Sequence, residues 1–148
     1  MIGRTLQPLY SNKDSSELLY ILYNDQAPNR SSTSPNGHSK GVILAGASGG
    51  IWLQHSVPKF RDLNANYDYA SSGENNAPLS FCTSLSGRNI DSVIAQALLH
   101  IKPTIYSHSV PLDMKEVYPS IAKLTSRERK NVEPSKVFSL IEGDLNIN

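Results

Sequence analysis

The first clear apolar stretch, Leu18-Leu19-Tyr20-Ile21-Leu22-Tyr23, closes on the turn-forming pair Asn24-Asp25. A continuous run this short, with aromatic residues in it, predicts a buried strand rather than a helix. Before it, Pro8 and the polar positions from Ser11 to Ser16 predict only a short helical turn or loop, and after it Gln26 to Gly37, rich in Pro, Ser and Asn, predicts a surface loop. Lys40 to Ala45 reads as a second strand and Ile51 to Ser56 as a third, joined by the small-residue turn Gly46 to Gly50, so that 40–55 forms a β-hairpin. Val57-Pro58 ends the pairing. Lys59 to Ala77 is polar and without periodicity, a long loop, and Leu79 to Leu85 is a fourth strand before the break at Ser86-Gly87. From Asn89 to Ile101 the pattern changes period. Apolar residues at 90, 93, 94, 97, 98 and 101 follow the spacing of an amphipathic helix, which Pro103 ends. Thr104-Ile105-Tyr106 suits a short extended piece, Leu112 to Leu124 is ambiguous because Pro119 interrupts it, residues 125–135 are polar, and Val137 to Ile141 is a last apolar patch.

The 148 residues fit a single domain with room for a core. A net charge of +1 argues against sequence-independent nucleic-acid binding through bulk positive charge, so any phosphate recognition must be local. Cys82, alone in the chain, sits in the apolar run from Pro78, where it is a buried small hydrophobe or one half of a disulfide whose partner lies outside the chain. No run approaches the roughly eighteen apolar residues of a membrane span. Met1 to Thr5 lacks the apolar segment of a signal peptide. The sequon Asn29-Arg30-Ser31 hints at a secretory route. The histidines and carboxylates show no metal-ligand spacing, and no glycine-rich loop leads into Lys-Ser or Lys-Thr, so neither a metal nor a nucleotide cofactor is expected.

Chemistry enters at Asn36-Gly37-His38-Ser39-Lys40-Gly41. Side chains at i and i+2 of a strand share a face, so His38 and Lys40 are expected to point into one space at a strand entrance. An imidazole can attack or protonate at phosphorus and an ammonium can stabilise charge on phosphoryl oxygens. Taken alone, His-x-Lys fits a surface turn as well. The hairpin brings its open ends together, which puts His55 and Ser56 near the pair. Asn24 and Asp25 could border the same hollow, though turn formation after a strand explains them equally. His-Ser-Val-Pro occurs at 55–58 and again at 108–111, and the unlike flanks make the second copy a coincidence. His100 at a helix end is favoured by the helix dipole without any further role.

Four blocks, Gly3-Arg4-Thr5-Leu6-Gln7-Pro8-Leu9-Tyr10, Tyr20-Ile21-Leu22-Tyr23-Asn24-Asp25, Gly37-His38-Ser39-Lys40-Gly41-Val42 and Gly50-Ile51-Trp52-Leu53-Gln54-His55-Ser56-Val57-Pro58, closely resemble in order and spacing the amino-terminal half of the deoxyribonuclease II family. The resemblance continues more loosely through Phe81-Cys82 and Ile101 to Tyr106, and is clearest over residues 3–120 of a 1–148 partial domain. It implies an α/β (α+β) fold, a mixed β-sheet flanked by helices, forming one half of a phospholipase D-like pseudo-dimer with a His-x-Lys pair in each half. It implies an endonuclease that works in acid, uses a histidine nucleophile, needs no metal or cofactor and leaves 3′-phosphate ends on DNA. His38 and Lys40 match the catalytic pair. His55 matches a cleft or substrate-binding histidine, or else a structural one that orients His38. Ala45 stands where the wider superfamily carries an aspartate, as is general in deoxyribonuclease II-like sequences. The resemblance also implies a lysosomal or secreted setting and an upstream cysteine partner for Cys82, which this chain does not carry. Because the second His-x-Lys pair is absent too, the chain is expected to be a truncated form that needs a homodimer or the missing carboxy-terminal half to complete the site. The alternative is a catalytically inactive DNA-binding or interaction paralogue that keeps one half-site.

Overall fold

The computed structural model describes residues 2–28, 37–60, 63, 77–126 and 146–147. In chain order the elements are α1 (Ile2–Asn12), β1 (Leu19–Asn24), β2 (Lys40–Ala45), β3 (Gly49–His55), β4 (Ser80–Ser86), a helical run of α2 (Gly87–Asn89), a π-helical stretch (Ile90–Ala95) and α3 (Gln96–Ile101), then β5 (Ile105–Ser109), α4 (Leu112–Val117), α5 (Pro119–Thr125) and the short β6 (Asn146–Ile147). The strands form one sheet in the order β5-β1-β2-β3-β4-β6. The expected α/β class holds, but each described pairing is antiparallel where a mixed sheet was expected. The reason is the path of the helical run. It leaves the Ser86 end of β4 and brings the chain back along the sheet, so β5 starts level with Tyr23 and runs opposite to β1.

β1 is buried along its whole length because it lies in the middle layer of three. Leu19, Ile21 and Tyr23 face a core built with Ile43, Ile94, Leu98, Tyr118 and Ile121 from the helical side. Tyr20 and Leu22 face the opposite way, into a second core with Leu6 and Leu9 of α1, Val42, Leu53, Val57 and Phe60. A strand covered on both sides reads as an unbroken apolar run, which is why its position was visible in the sequence. Each buried Leu or Ile adds roughly 1.5–3 kcal/mol against exposure.

Several local readings change. α1 is a full helix of 11 residues, despite Pro8. Proline deprives the Arg4 carbonyl of its helical donor, but Arg4 is exposed to water, and burial of Leu6 and Leu9 on one face holds the helix to the sheet. Gly49 and Gly50 belong to β3 rather than to the turn: a Cβ on Gly50 would come within 2.0 Å of the Leu44 carbonyl oxygen, so only glycine allows the two strands to approach there. The predicted helix over 89–101 begins two residues earlier, capped by the Ser86 side chain, and ends where Lys102 turns left-handed before Pro103. Its π-helical stretch adds residues per turn. Burial therefore falls on Ile90, Ile94, Ala95, Leu98 and Leu99, while Ala97 and Ile101 turn towards a cavity. The ambiguous 112–124 segment is two helices, because Pro119 sits at the first turn of α5, where its missing N–H costs nothing. Tyr118 between them donates to the Gly46 carbonyl at 2.6 Å and ties both helices to the hairpin turn. The sequon at Asn29, most of the loops expected over 26–37 and 59–77, and the 125–135 and 137–141 segments lie largely outside the described residues.

Candidate active site

Antiparallel order collects four strand ends at one edge of the layer. Asn24 at the end of β1 is paired with Lys40 at the start of β2, and His55 at the end of β3 is paired with Ser80 at the start of β4. Gly37 is pressed against the last turn of α3. A Cβ there would meet the Ile101 carbonyl oxygen at 2.3 Å, and its N–H donates to the Lys102 carbonyl at 3.3 Å. This anchors the backbone immediately before His38.

His38 stands in the bend before β2 rather than on the strand itself, and it still lines one cavity with Lys40. What joins it to Lys40 is Asp25. One carboxylate oxygen of Asp25 lies 2.6 Å from His38 Nδ1 and the other 2.5 Å from Lys40 Nζ. The His38 side chain is 83% exposed, whereas Lys40 is 8% and Asp25 12%. With Nδ1 turned to the carboxylate, Nε2 is the nitrogen left for solvent or substrate. Burial by itself would raise the Asp25 carboxyl, but the hydrogen bond and charge of Lys40, with His38 behind them, bring it below the ordinary aspartate value. Asp25 is the functional candidate that sequence reasoning left aside. Its signal was its place one residue after β1, which antiparallel pairing sets beside the entrance of β2; the Asp25 N–H donates to the Ser39 carbonyl at 3.2 Å.

His38, Lys40 and His55 border one cavity of about 330 Å³, which Leu98 and Ile101 also line. His55 is buried and its ring lies 4.5 Å from that of Phe60. Burial first and the Lys40 charge second lower its pKa from 6.5 to about 4. The Val57 N–H points at His55 Nδ1 at 3.2 Å, which fixes the tautomer with the proton on Nε2. This segment is braced from β1. The fully buried Asn24 amide donates to the Val57 carbonyl at 3.1 Å and accepts from the Gln26 N–H at 2.9 Å. Asn24 is thus a strut and Asp25 a site residue, although the sequence offered the same two explanations for both. Among the described residues no group of three or more His, Cys, Asp or Glu side chains is placed to hold a metal ion, and no helix is long and apolar enough to cross a membrane. Cys82 is half-buried and free among the described residues.

Fold and site together define an α/β domain with a pocket lined by His38, Lys40 and His55 at the ends of its central strands. The family model of deoxyribonuclease II matches residues 1–144, and the chain belongs to that family. It is similar to deoxyribonuclease-2-alpha of Rattus norvegicus, with 35% identity over 138 residues covering 90% of this chain and 39% of the relative. It is also similar to deoxyribonuclease-2-beta of Homo sapiens, with 30% identity over 146 residues, or 96% of this chain and 40% of the relative. Cell-death-related nuclease 7 of Caenorhabditis elegans is 28% identical over 127 residues, 86% of this chain and 34% of the relative. The chain spans about two fifths of the length of the first two relatives.

Proposed function

We propose that this chain carries one half of a metal-free deoxyribonuclease site that cleaves DNA phosphodiesters to 3′-phosphate ends. The observation that carries this reading is the exposed His38 imidazole, held at Nδ1 by Asp25 on the rim of a cavity that also contains Lys40 and His55. A histidine with Nδ1–H bonded to a carboxylate keeps its Nε2 lone pair for attack. In the proposed step Nε2 forms a bond to phosphorus as the bond from phosphorus to the 5′ oxygen breaks. Lys40 holds a non-bridging oxygen and takes the charge that a cation would otherwise neutralise. The departing oxygen receives a proton from a second imidazolium, and water then hydrolyses the phosphohistidine to release the 3′-phosphate.

His55 does not serve as that acid. With a pKa of about 4 it is mostly neutral in mild acid, and its Nε2–H is a hydrogen-bond donor to the phosphoryl group. The second imidazolium comes from a second His-x-Lys pair, carried by another copy of the chain or by the carboxy-terminal half. Leu79 and Phe81, 81% and 50% exposed on either side of Ser80, form an apolar surface beside the site. An acid-dependent proton donor fits a lysosomal or secreted setting.

The test is nicking of supercoiled plasmid at about pH 5, below the ordinary histidine value, in the presence of EDTA. Nicking that His38→Ala abolishes supports the assignment, and nicking that survives His38→Ala refutes it. A second reading, DNA binding without cleavage, is favoured by the one feature that a single pair supplies a nucleophile or an acid but not both. It predicts retention in a gel shift with no cleavage at any pH, from a chain that runs as a monomer in size-exclusion chromatography.

A further inference from the structure

Tyr23 holds a buried hydroxyl that the proposed steps above do not use. Its side chain lies in the helical-side core, 1% exposed, and the residue forms part of the wall of the cavity that Lys40 and His55 also line. Trp52 Nε1 lies 2.9 Å from that oxygen. An indole N–H can only donate, so the tyrosine oxygen is the acceptor in this bond and its own proton needs another acceptor. Among the described residues none receives it. Buried donors in folded proteins are almost always paired, so an unpaired one at a cavity wall points to what the cavity takes. Gly41 contributes to the same arrangement: a Cβ there would come within 2.4 Å of the Tyr23 oxygen, so glycine leaves the hydroxyl its place over β2.

The neighbouring groups narrow the ligand. Lys40 is a cation with donors only, and His55 presents an Nε2–H. A wall of donors, with the Lys40 charge shared with Asp25, fits an acceptor-rich ligand such as a phosphodiester. Burial pushes the Tyr23 hydroxyl up to about 12, against the smaller opposing effect of Trp52, so it remains a neutral donor throughout the range in which proteins are folded.

We infer that Tyr23 contacts the substrate directly, its O–H donating to a non-bridging oxygen of the phosphodiester held beside Lys40. This rests on the cavity being the phosphodiester site. Trp52 is then the positioning residue, fixing the oxygen so that the proton is free to face the cavity.

The experiment is titration of the full chain with the dinucleotide dTpdT, followed by calorimetry and by the indole N–H resonance of Trp52, the one tryptophan in the chain. Tyr23→Phe keeps the ring in the core and removes only the donor; the loss of a hydrogen bond to a charged group is expected to weaken binding about tenfold or more. Trp52→Phe leaves the Tyr23 donor in place but loosens its position, and is expected to weaken binding less than Tyr23→Phe does, an order a merely structural Tyr23 would not produce. Where Tyr23→Phe leaves the indole N–H stranded and the protein unfolds, the double variant Tyr23→Phe/Trp52→Phe removes both polar partners and is compared with Trp52→Phe alone. In the unmodified chain the dinucleotide shifts the Trp52 resonance through the shared hydroxyl. If Tyr23→Phe binds as tightly as the unmodified chain while Lys40→Met loses binding, the site stands and the role of Tyr23 is overturned. If the unmodified chain binds no dinucleotide, the phosphodiester site and the Tyr23 contact fall together.

Discussion

His-Ser-Val-Pro occurs at residues 55–58 and 108–111, and the two copies end at opposite sides of the same sheet. The first leaves β3 at the edge where β1 ends and β2 begins; the second leaves β5 beside Tyr20, near the other edge. Val57 is buried in the core shared with α1, whereas Val110 packs against the core on the helical side. Burial first and then the Lys40 charge depress the His55 pKa, while His108, at the surface, is lowered only by partial desolvation of its ring. Ser56 accepts a hydrogen bond from the Leu79 N–H at 2.9 Å. One tetrapeptide thus gives a buried histidine on a cavity wall in one place and a surface histidine in the other. The difference is which strand lies next to it, and only pairing over long sequence separations decides that.

The largest contrast should appear in activity. His55→Ala removes a hydrogen-bond donor from the cavity and is expected to lower plasmid nicking by about a hundredfold or more, the usual cost of one such donor. His108→Ala is expected to leave nicking unchanged. Equal losses in the two variants, measured at matched folded fraction, would end the distinction between the copies.

The sequence made the hairpin and its consequences legible because Lys40 to Ala45 and Ile51 to His55 carry their strand signals locally, with small residues between them. It set the second tetrapeptide aside on its flanks alone. Asp25 was harder. A carboxylate after a strand is ordinary turn chemistry, and nothing within a few residues of it tells that His38 and Lys40 will close on its two oxygens. The π-helical stretch was not legible either. Apolar spacing at 90, 93, 94, 97, 98 and 101 suits a regular helix, and the shift that turns Ala97 and Ile101 to the cavity comes from packing against α5 and β3. The helix α1 was hidden for the opposite reason, since Pro8 is a strong local signal against it and the apolar face that overrides it is satisfied only by the sheet.

Acid separates the two histidines next. His55 is held down at about 4 in the folded chain against 6.5 for an ordinary histidine. The unfolded state therefore binds a proton first as pH falls, and the folded state loses stability between pH 6.5 and about 4, being fully stabilised above that window. The difference corresponds to about 3 kcal/mol. Denaturant titrations across this range should show the loss, and His55→Gln should flatten it. His108, also lowered but exposed, has the same sign and a smaller slope, so His108→Gln should change the profile little. Asp25 adds a separate loss further down. Its folded value lies below the ordinary aspartate value, so the stability it contributes is present above that ordinary value and disappears as pH falls through the lowered one.

The smallest effects test what fixes the first copy in place. Asn24→Ala strands the buried Val57 carbonyl and the Gln26 N–H, and is expected to cost about 2 kcal/mol in urea unfolding, with the His55 resonance shifting as its strut is lost. Ser56→Ala removes the acceptor for the Leu79 N–H at the start of β4 and should cost about 0.5–1 kcal/mol. Ser109→Ala should cost less, because among the described residues the Ser109 side chain makes no hydrogen bond. If Ser109→Ala proves the more damaging of the two serine variants, the second tetrapeptide is the better anchored, and the stiffness assigned to the His55 segment comes from Asn24 alone.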